Sequence, residues 1–89
     1  MGWKIKIERR AEKELDRLDV QVSQRIIKFL LGKLALLDDP RSIGEALQGS
    51  ELGDYWKYRV GDYRIISRIE DGVLTVFVVR VGNRREVYR

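Results

Sequence analysis

The chain has 89 residues and contains neither cysteine nor histidine. Disulfides, zinc sites built on thiolates or imidazoles, and mechanisms that need a Cys or His nucleophile or base are therefore excluded. The formal net charge is +4; residues 1–54 are balanced, whereas residues 55–89 hold eight basic and four acidic residues. This placement of charge predicts an anionic partner, with nucleic acid as the leading case.

A chain of this length is expected to form a single domain, residues 1–89. Its longest apolar run, residues 29–37, is interrupted by Lys33 and is too short to cross a bilayer. The first ten residues alternate between apolar and charged side chains and do not resemble a secretory signal. We therefore expect a cytoplasmic protein with no membrane partner.

The first half of the chain predicts one strand and two helices. Apolar and charged residues alternate over residues 3–8, which is typical of a half-buried strand. Apolar residues at helical spacing predict helices over residues 9–18 and 20–37, with Asp19 as the N-cap of the second helix. Residues 38–54 contain a proline and three glycines and are predicted to form a loop.

The last third predicts an antiparallel meander of three strands. Gly61-Asp62 and Asp71-Gly72 each have the composition of a two-residue hairpin turn. Together with the first strand, these elements give the order β-α-α-β-β-β. We predict an α+β fold in which a helical hairpin packs on a small, antiparallel-rich sheet.

The first turn also fixes a register, because a two-residue loop at Gly61 and Asp62 places Arg59 opposite Arg64. Side chains alternate across a sheet, so the meander has one apolar and one basic face. The apolar face is expected to contain Trp56, Tyr58, Val60, Tyr63, Ile65, Ile69, Leu74, Val76 and Val78. The basic face is expected to contain Tyr55, Lys57, Arg59, Arg64, Ile66, Arg68, Phe77 and Val79.

The basic face is the candidate binding surface. No acidic residue is expected in the strand segments beside its cations before Glu70. Like charges opposite one another cost stability, and a bound phosphate would offset that cost. A solvated face that discourages aggregation is the alternative interpretation. The apolar residues on this face, Ile66, Phe77 and Val79, need cover from a C-terminal segment or from a partner protein.

Three segments occur in the order "AEKELDRL", "ALQGSELGDYWKYRVGDYRII" and "VFVVRVGNRREVYR". In this order and spacing they resemble the RelE/ParE superfamily of toxins from type II toxin–antitoxin pairs, over nearly the whole chain. The resemblance implies a RelE-like fold and cleavage of mRNA in the ribosomal A site by attack of the 2′-hydroxyl on the adjacent phosphodiester. It implies no metal or organic cofactor. The implied partners are a cognate RelB-like antitoxin, the ribosome, mRNA and operator DNA bound through the antitoxin complex.

The resemblance also implies the site residues. Lys57, Arg64, Arg84 and Tyr88 match catalytic positions: the two arginines would stabilise the charge of a phosphorane-like transition state, Lys57 would be the general acid, and Tyr88 would orient or stack. The general base is left open. Further RNA contacts are expected from Arg59, Arg68, Arg85 and Tyr55. Antitoxin contacts are expected from Ile66, Phe77 and Val79, with the groove of the first helix as another antitoxin surface.

The sequence departs from the family pattern at Tyr55, Ser67 and Asn83, where relatives often have Lys, Tyr and His. A histidine base is therefore unavailable. The main alternative function is a ParE-like toxin that inhibits DNA gyrase by binding and cleaves no RNA. The retained set of catalytic positions favours the nuclease. A third alternative is an inactive or purely DNA-binding member that acts as a co-repressor with its partner.

Overall fold

The computed structural model describes residues 2–47 and 55–87. In these residues the predicted α+β architecture and its order of elements are confirmed, with one short strand and one short C-terminal helix added. The strands are β1 Lys4–Ile7, β2 Glu45–Ala46, β3 Tyr55–Val60, β4 Tyr63–Glu70 and β5 Thr75–Asn83. The α-helices are α1 Arg9–Asp16, α2 Val20–Gly32 and α3 Arg84–Val87. The 3₁₀ turns are Leu34–Leu36, Pro40–Ile43 and Asp71–Val73.

The strands form one mixed sheet in the order β1-β5-β4-β3-β2. β1 lies at one edge and runs parallel to β5, and the other pairs are antiparallel. Residues of α1 and α2 form one buried core with residues of β3, β4 and β5. The members of that core are Ala11, Leu15, Ile26, Leu30, Leu34, Tyr58, Ile65, Ile69, Val76, Val78 and Val81. Within the described part of the chain, no helix has the length and apolar character that a bilayer crossing requires.

The second helix begins as predicted and ends earlier. Asp19 is its N-cap, because the side chain accepts a hydrogen bond from the backbone N–H of Gln21 at 2.8 Å. The predicted end at residue 37 is wrong, since α2 stops at Gly32 and the backbone of Lys33 leaves the helical region. Glycine is a poor helix former. Leu34 still fills the core, from the 3₁₀ turn that follows.

The register of the first hairpin is confirmed, with Arg59 opposite Arg64 and Val60 opposite Tyr63. Gly61 has a backbone φ of 59°, a value that residues with a Cβ adopt only at an energetic cost. The turn residue therefore matches the turn geometry, and the apolar and basic faces of β3 and β4 follow from it.

The prediction for the second hairpin is wrong about the turn and right about most of the side-chain faces. Asp71 to Leu74 form a four-residue connection, and Glu70 pairs with Thr75. Leu74 has a φ of 46° and lies exposed in this turn, so its predicted place on the apolar face is wrong. The register shift is two residues, which preserves the alternation of side chains, and Val76 stays in the core.

A β-bulge interrupts the pairing of β4 with β5. Ser67 pairs with Val78, whereas the preceding residue, Ile66, pairs with Arg80. Val79 is the additional residue on β5, and so it has no place in the regular alternation of the basic face. Beyond the bulge, Val81 returns to the core.

The far end of β5 extends past β1, and α1 covers its free edge. Glu14 accepts a hydrogen bond from the backbone N–H of Val81 at 2.9 Å. The same carboxylate lies 3.2 Å from Nε of Arg80, and both side chains are largely buried. This contact satisfies an edge amide that would otherwise be open to pairing with another chain.

Ser67 is fully buried, and its hydroxyl has no hydrogen-bond partner among the described residues. A buried polar group without a partner costs stability. We expect Ser67→Ala to raise the free energy of unfolding by about 1 kcal/mol, measured by urea unfolding followed by circular dichroism. Ser42→Ala is the matched control, because it removes an exposed hydroxyl that donates to the Asp39 carbonyl, and it should bring no such gain. A loss of stability in Ser67→Ala would contradict the assignment of an unsatisfied hydroxyl.

Candidate functional site

A cleft of about 400 Å³ lies where the β3–β4 hairpin approaches the end of α2. Its lining holds four cations and one carboxylate: Lys33, Lys57, Arg59, Arg64 and Glu45. The structure therefore brings together three of the cations that the sequence predicted. Lys33 and Glu45 were not predicted, because they reach the cleft from parts of the chain distant from the hairpin.

Arg59 and Arg64 face one another across β3 and β4. The Arg64 guanidinium donates hydrogen bonds to the backbone carbonyls of Gly61 at 3.2 Å and of Tyr63 at 3.1 Å. Among the described residues, neither arginine forms an ion pair with a carboxylate. The two like charges thus lie on paired strands with no described carboxylate between them, an arrangement that attracts an anion.

Lys57 has a counter-charge. The expectation that no acidic residue before Glu70 lies in a strand beside the cations of the basic face is therefore wrong. Glu45 lies opposite Lys57 in the pairing of β2 with β3, and Oε2 of Glu45 is 3.3 Å from Nζ of Lys57. The Glu45 side chain is 76% exposed. A carboxylate and an ammonium therefore meet at the mouth of the cleft, beside the arginines.

The segment that carries Glu45 is held against the sheet by Tyr58. The Tyr58 hydroxyl donates a 2.7 Å hydrogen bond to the carbonyl of Pro40, and the residue is 1% exposed. Burial raises the pKa of Tyr58, which keeps the hydroxyl protonated as a donor. Gly44 lies directly on the Tyr58 ring, where an added Cβ would come within 2.8 Å of a ring carbon. Only glycine allows the chain to pass this close.

An ion pair joins the same segment to the turn after β4. The Arg41 guanidinium donates to both carboxylate oxygens of Asp71, at 2.9 and 2.7 Å, and lies 5.9 Å from the centre of the Trp56 ring. The hydrogen bond from Arg41 lowers the pKa of Asp71, and the same contact raises the pKa of Arg41. This bidentate contact ties the Pro40–Ile43 turn to the far end of the sheet.

Arg68 lies outside the lining of the cleft. Its Nε atom is 3.2 Å from Oε1 of Glu70, and its guanidinium is 4.8 Å from the centre of the Phe77 ring. Tyr55 pairs with Arg68 in the register of β3 and β4, so it belongs to the same end of the sheet. The contacts of these two residues with RNA remain predictions.

The predicted antitoxin residues differ in their accessibility. Ile66 is 5% exposed, so the chain itself already covers it. Phe77 lies partly buried beneath Arg68, and Val79, the bulge residue, is also partly buried. Of this set, Phe77 and Val79 retain surface that a partner protein can contact.

The segment after β5 is attached to the hairpin turn. The backbone N–H of Arg84 donates to the carbonyl of Asp62 at 3.0 Å, and Asn83 Oδ1 accepts from the backbone N–H of Arg85 at 3.1 Å. Arg84 and Arg85 are exposed at the end of the sheet that carries the β3–β4 turn. Tyr88 lies outside the described residues, as does Arg89.

The chain is similar in sequence to known toxins. A family model described as "ParE toxin of type II toxin-antitoxin system, parDE" matches residues 5–88. Toxin RelG of Mycobacterium tuberculosis is 29% identical over 89 residues, which cover 100% of this chain and 99% of that toxin. Toxin RelE of the same organism is 29% identical over 87 residues, which cover 98% and 87% of the two chains.

Solved structures share the fold. A chain of the toxin–antitoxin complex RelBE2 from Mycobacterium tuberculosis aligns with a TM-score of 0.85 at 27% identity, covering 94% of this chain and 100% of that chain. A variant of E. coli toxin RelE in the free state aligns with a TM-score of 0.75 at 29% identity, covering 99% and 92%. The two helices and the mixed sheet are therefore shared with these proteins.

The Arg41–Asp71 contact predicts a pH dependence of stability. Because the folded-state pKa of Asp71 lies below its ordinary value, the stability that this group supplies is present above the unfolded pKa and is lost as the pH falls through the folded pKa. Asp71→Asn should therefore be less stable than the wild type at neutral pH, and the difference should shrink in acid. Urea unfolding at about pH 7 and about pH 3 measures it.

The matched control for this prediction is Asp16→Asn, which changes an exposed carboxylate on α1. Its difference from the wild type should not show the same convergence. A constant gap between the wild type and Asp71→Asn across this pH range would show that the carboxylate does not act through its charge.

Proposed function

This chain belongs to the ParE toxin family of type II toxin–antitoxin systems, and from that membership we propose that it is a ribosome-dependent endoribonuclease that cleaves mRNA in the A site. Its similarity to toxins named RelE and RelG spans nearly its full length. The observation that carries the proposal is the convergence of Lys57, Arg59 and Arg64 in one cleft beside Glu45.

The arginines stabilise the negative charge that develops on the phosphate during cleavage. Attack on a phosphodiester collects negative charge on the non-bridging oxygens of the phosphorus, and pre-aimed guanidinium groups stabilise that charge. Arg64 contacts these oxygens, and Arg59 binds the same phosphate or its neighbour. Arg84 approaches the same phosphate from the segment hydrogen-bonded to Asp62, at the end of the sheet that carries the β3–β4 turn.

The reaction also needs one proton removed and one supplied. The bond from the 2′-oxygen to phosphorus forms while the bond to the 5′-oxygen breaks, which leaves a 2′,3′-cyclic phosphate and a 5′-hydroxyl. Glu45 accepts the proton of the 2′-hydroxyl, and Lys57 donates a proton to the departing 5′-oxygen. A phosphate that enters the cleft separates these two side chains and replaces their ion pair. Buried Tyr58, which donates to Pro40, takes no part in proton transfer.

A RelB-like antitoxin is the proposed protein partner. Complexes of toxin with antitoxin have been solved for RelBE2 of Mycobacterium tuberculosis and for RelBE of E. coli, relatives at 27% identity. On this chain, Phe77 and Val79 supply partly exposed apolar surface next to the basic face. An antitoxin segment on this surface blocks entry of the basic face into the A site, and the complex can contact operator DNA.

Cleavage mapping tests the proposal. In an in vitro translation reaction with a defined message, primer extension should find 5′ ends placed by codon position. Lys57→Ala, Arg64→Ala and Glu45→Gln should each lower the single-turnover rate at saturating toxin by about 100-fold or more, the scale of losing a proton-transfer group or an oxyanion donor. Lys13→Ala, an exposed lysine on α1, is the matched control and should keep the rate.

Two outcomes would contradict the proposal in different ways. Absence of cleavage by the wild type, together with inhibited supercoiling by DNA gyrase, would favour the ParE-like alternative. A wild-type rate in Glu45→Gln would remove Glu45 as the base and leave the endoribonuclease itself intact.

A further inference from the structure

The cleft has a second wall that the proposed chemistry does not use. Lys33 follows the last residue of α2, Phe29 lies one turn before it, and Ile43 ends the 3₁₀ turn on the other side. Lys33 is exposed and forms no ion pair within the described part of the chain. It therefore adds to the cleft of Arg59 and Arg64 a cation with no described counter-charge.

The apolar part of this wall is pre-formed. Phe29 is half-buried, and its ring lies 6.0 Å from that of Tyr58 at an angle of 53°. Ile43 is 40% exposed in a cleft whose other side is charged, so the core does not account for its position. A fixed aromatic ring and an exposed aliphatic side chain next to a lysine match the two parts of a nucleotide, an apolar base and an anionic phosphate.

We propose that Lys33, Phe29 and Ile43 form a second nucleotide subsite for the RNA substrate, next to the phosphate that is cleaved. Lys33 binds the neighbouring phosphate, and the base packs against Phe29 and Ile43. The volume of about 400 Å³ lies in the range of sites that hold one small ligand, which is more room than a lone phosphate needs. This inference deepens the proposed function and rests on it.

Lys33→Ala tests the phosphate contact. In single-turnover cleavage on ribosomes programmed with a defined message, we expect the toxin concentration for half-maximal rate to rise about 3- to 10-fold and the saturated rate to stay within about twofold. The slope of log affinity against log salt should become shallower by about 0.7, the value for one phosphate contact on a single strand. Lys28→Ala, an exposed lysine on α2 that does not line the cleft, is the matched control.

Ile43→Ser tests the base contact. A message with an abasic nucleotide next to the cleaved bond should bind the wild type about 3- to 10-fold more weakly than the intact message, because it has no base to pack on the apolar wall. Ile43→Ser should reduce that difference to within about twofold. Thermal unfolding of each variant shows that the fold is kept.

The outcomes separate this inference from the proposed function. Cleavage by the wild type with equal half-maximal concentrations for Lys33→Ala and Lys28→Ala would overturn the subsite and leave the endoribonuclease in place. A lower saturated rate in Lys33→Ala, with unchanged half-maximal concentration, would overturn the binding role of Lys33. Absence of cleavage by the wild type would overturn both.

Discussion

The register of the β3–β4 hairpin is the constraint on which the site depends. Tyr58 and Ile65 lie opposite one another on the core face of this hairpin and are fully buried. Because side chains alternate, a slip of one residue would expose them to water, so the core fixes the pairing. The same pairing forces Arg59 opposite Arg64 on the other face. Apolar packing thus supplies the free energy that holds two like charges together.

A second set of contacts brings the proposed proton acceptor to the cations. Tyr58 reaches from the core to the Pro40 carbonyl, and Gly44 leaves room for the chain to cross the Tyr58 ring. Arg41 anchors the same segment to Asp71. Glu45 follows directly and pairs with β3. The cleft is therefore held in shape by residues that take no part in the chemistry proposed for it.

The sequence predicts the hairpin and most of its faces because the signals there are local. Gly61 suits a tight turn, and the alternation of side chains places Tyr58 and Arg59 on opposite faces of the sheet. The predicted turn at Asp71 is wrong, but the resulting register shift of two residues leaves each β5 side chain before the bulge on its predicted face of the sheet. The bulge at Val79 could not be predicted from the sequence, because no residue pattern in β5 marks the point where its register with β4 shifts.

The residues that sequence reasoning missed reach the cleft through tertiary packing. Glu45 lies in a stretch rich in glycine that predicts a loop, and its two-residue strand follows a segment that Tyr58 and Arg41 hold against the sheet. Lys33 has the sequence character of an ordinary surface lysine at the end of a helix, and it lines the cleft because it lies one helical turn after Phe29, with its backbone N–H donating to the Phe29 carbonyl. Neither position carries a local signal for its neighbours in space.

The central claim is that the fold holds Arg59 and Arg64 together at a cost to stability because the pair binds an anion. The free energy of unfolding of Arg59→Glu in phosphate-free, low-salt buffer tests this most directly. An opposite-charge cross-strand pair should make the variant more stable than the wild type, by roughly 0.5–1 kcal/mol, and the variant should lose RNA cleavage. Unchanged or lower stability in Arg59→Glu would contradict the claim.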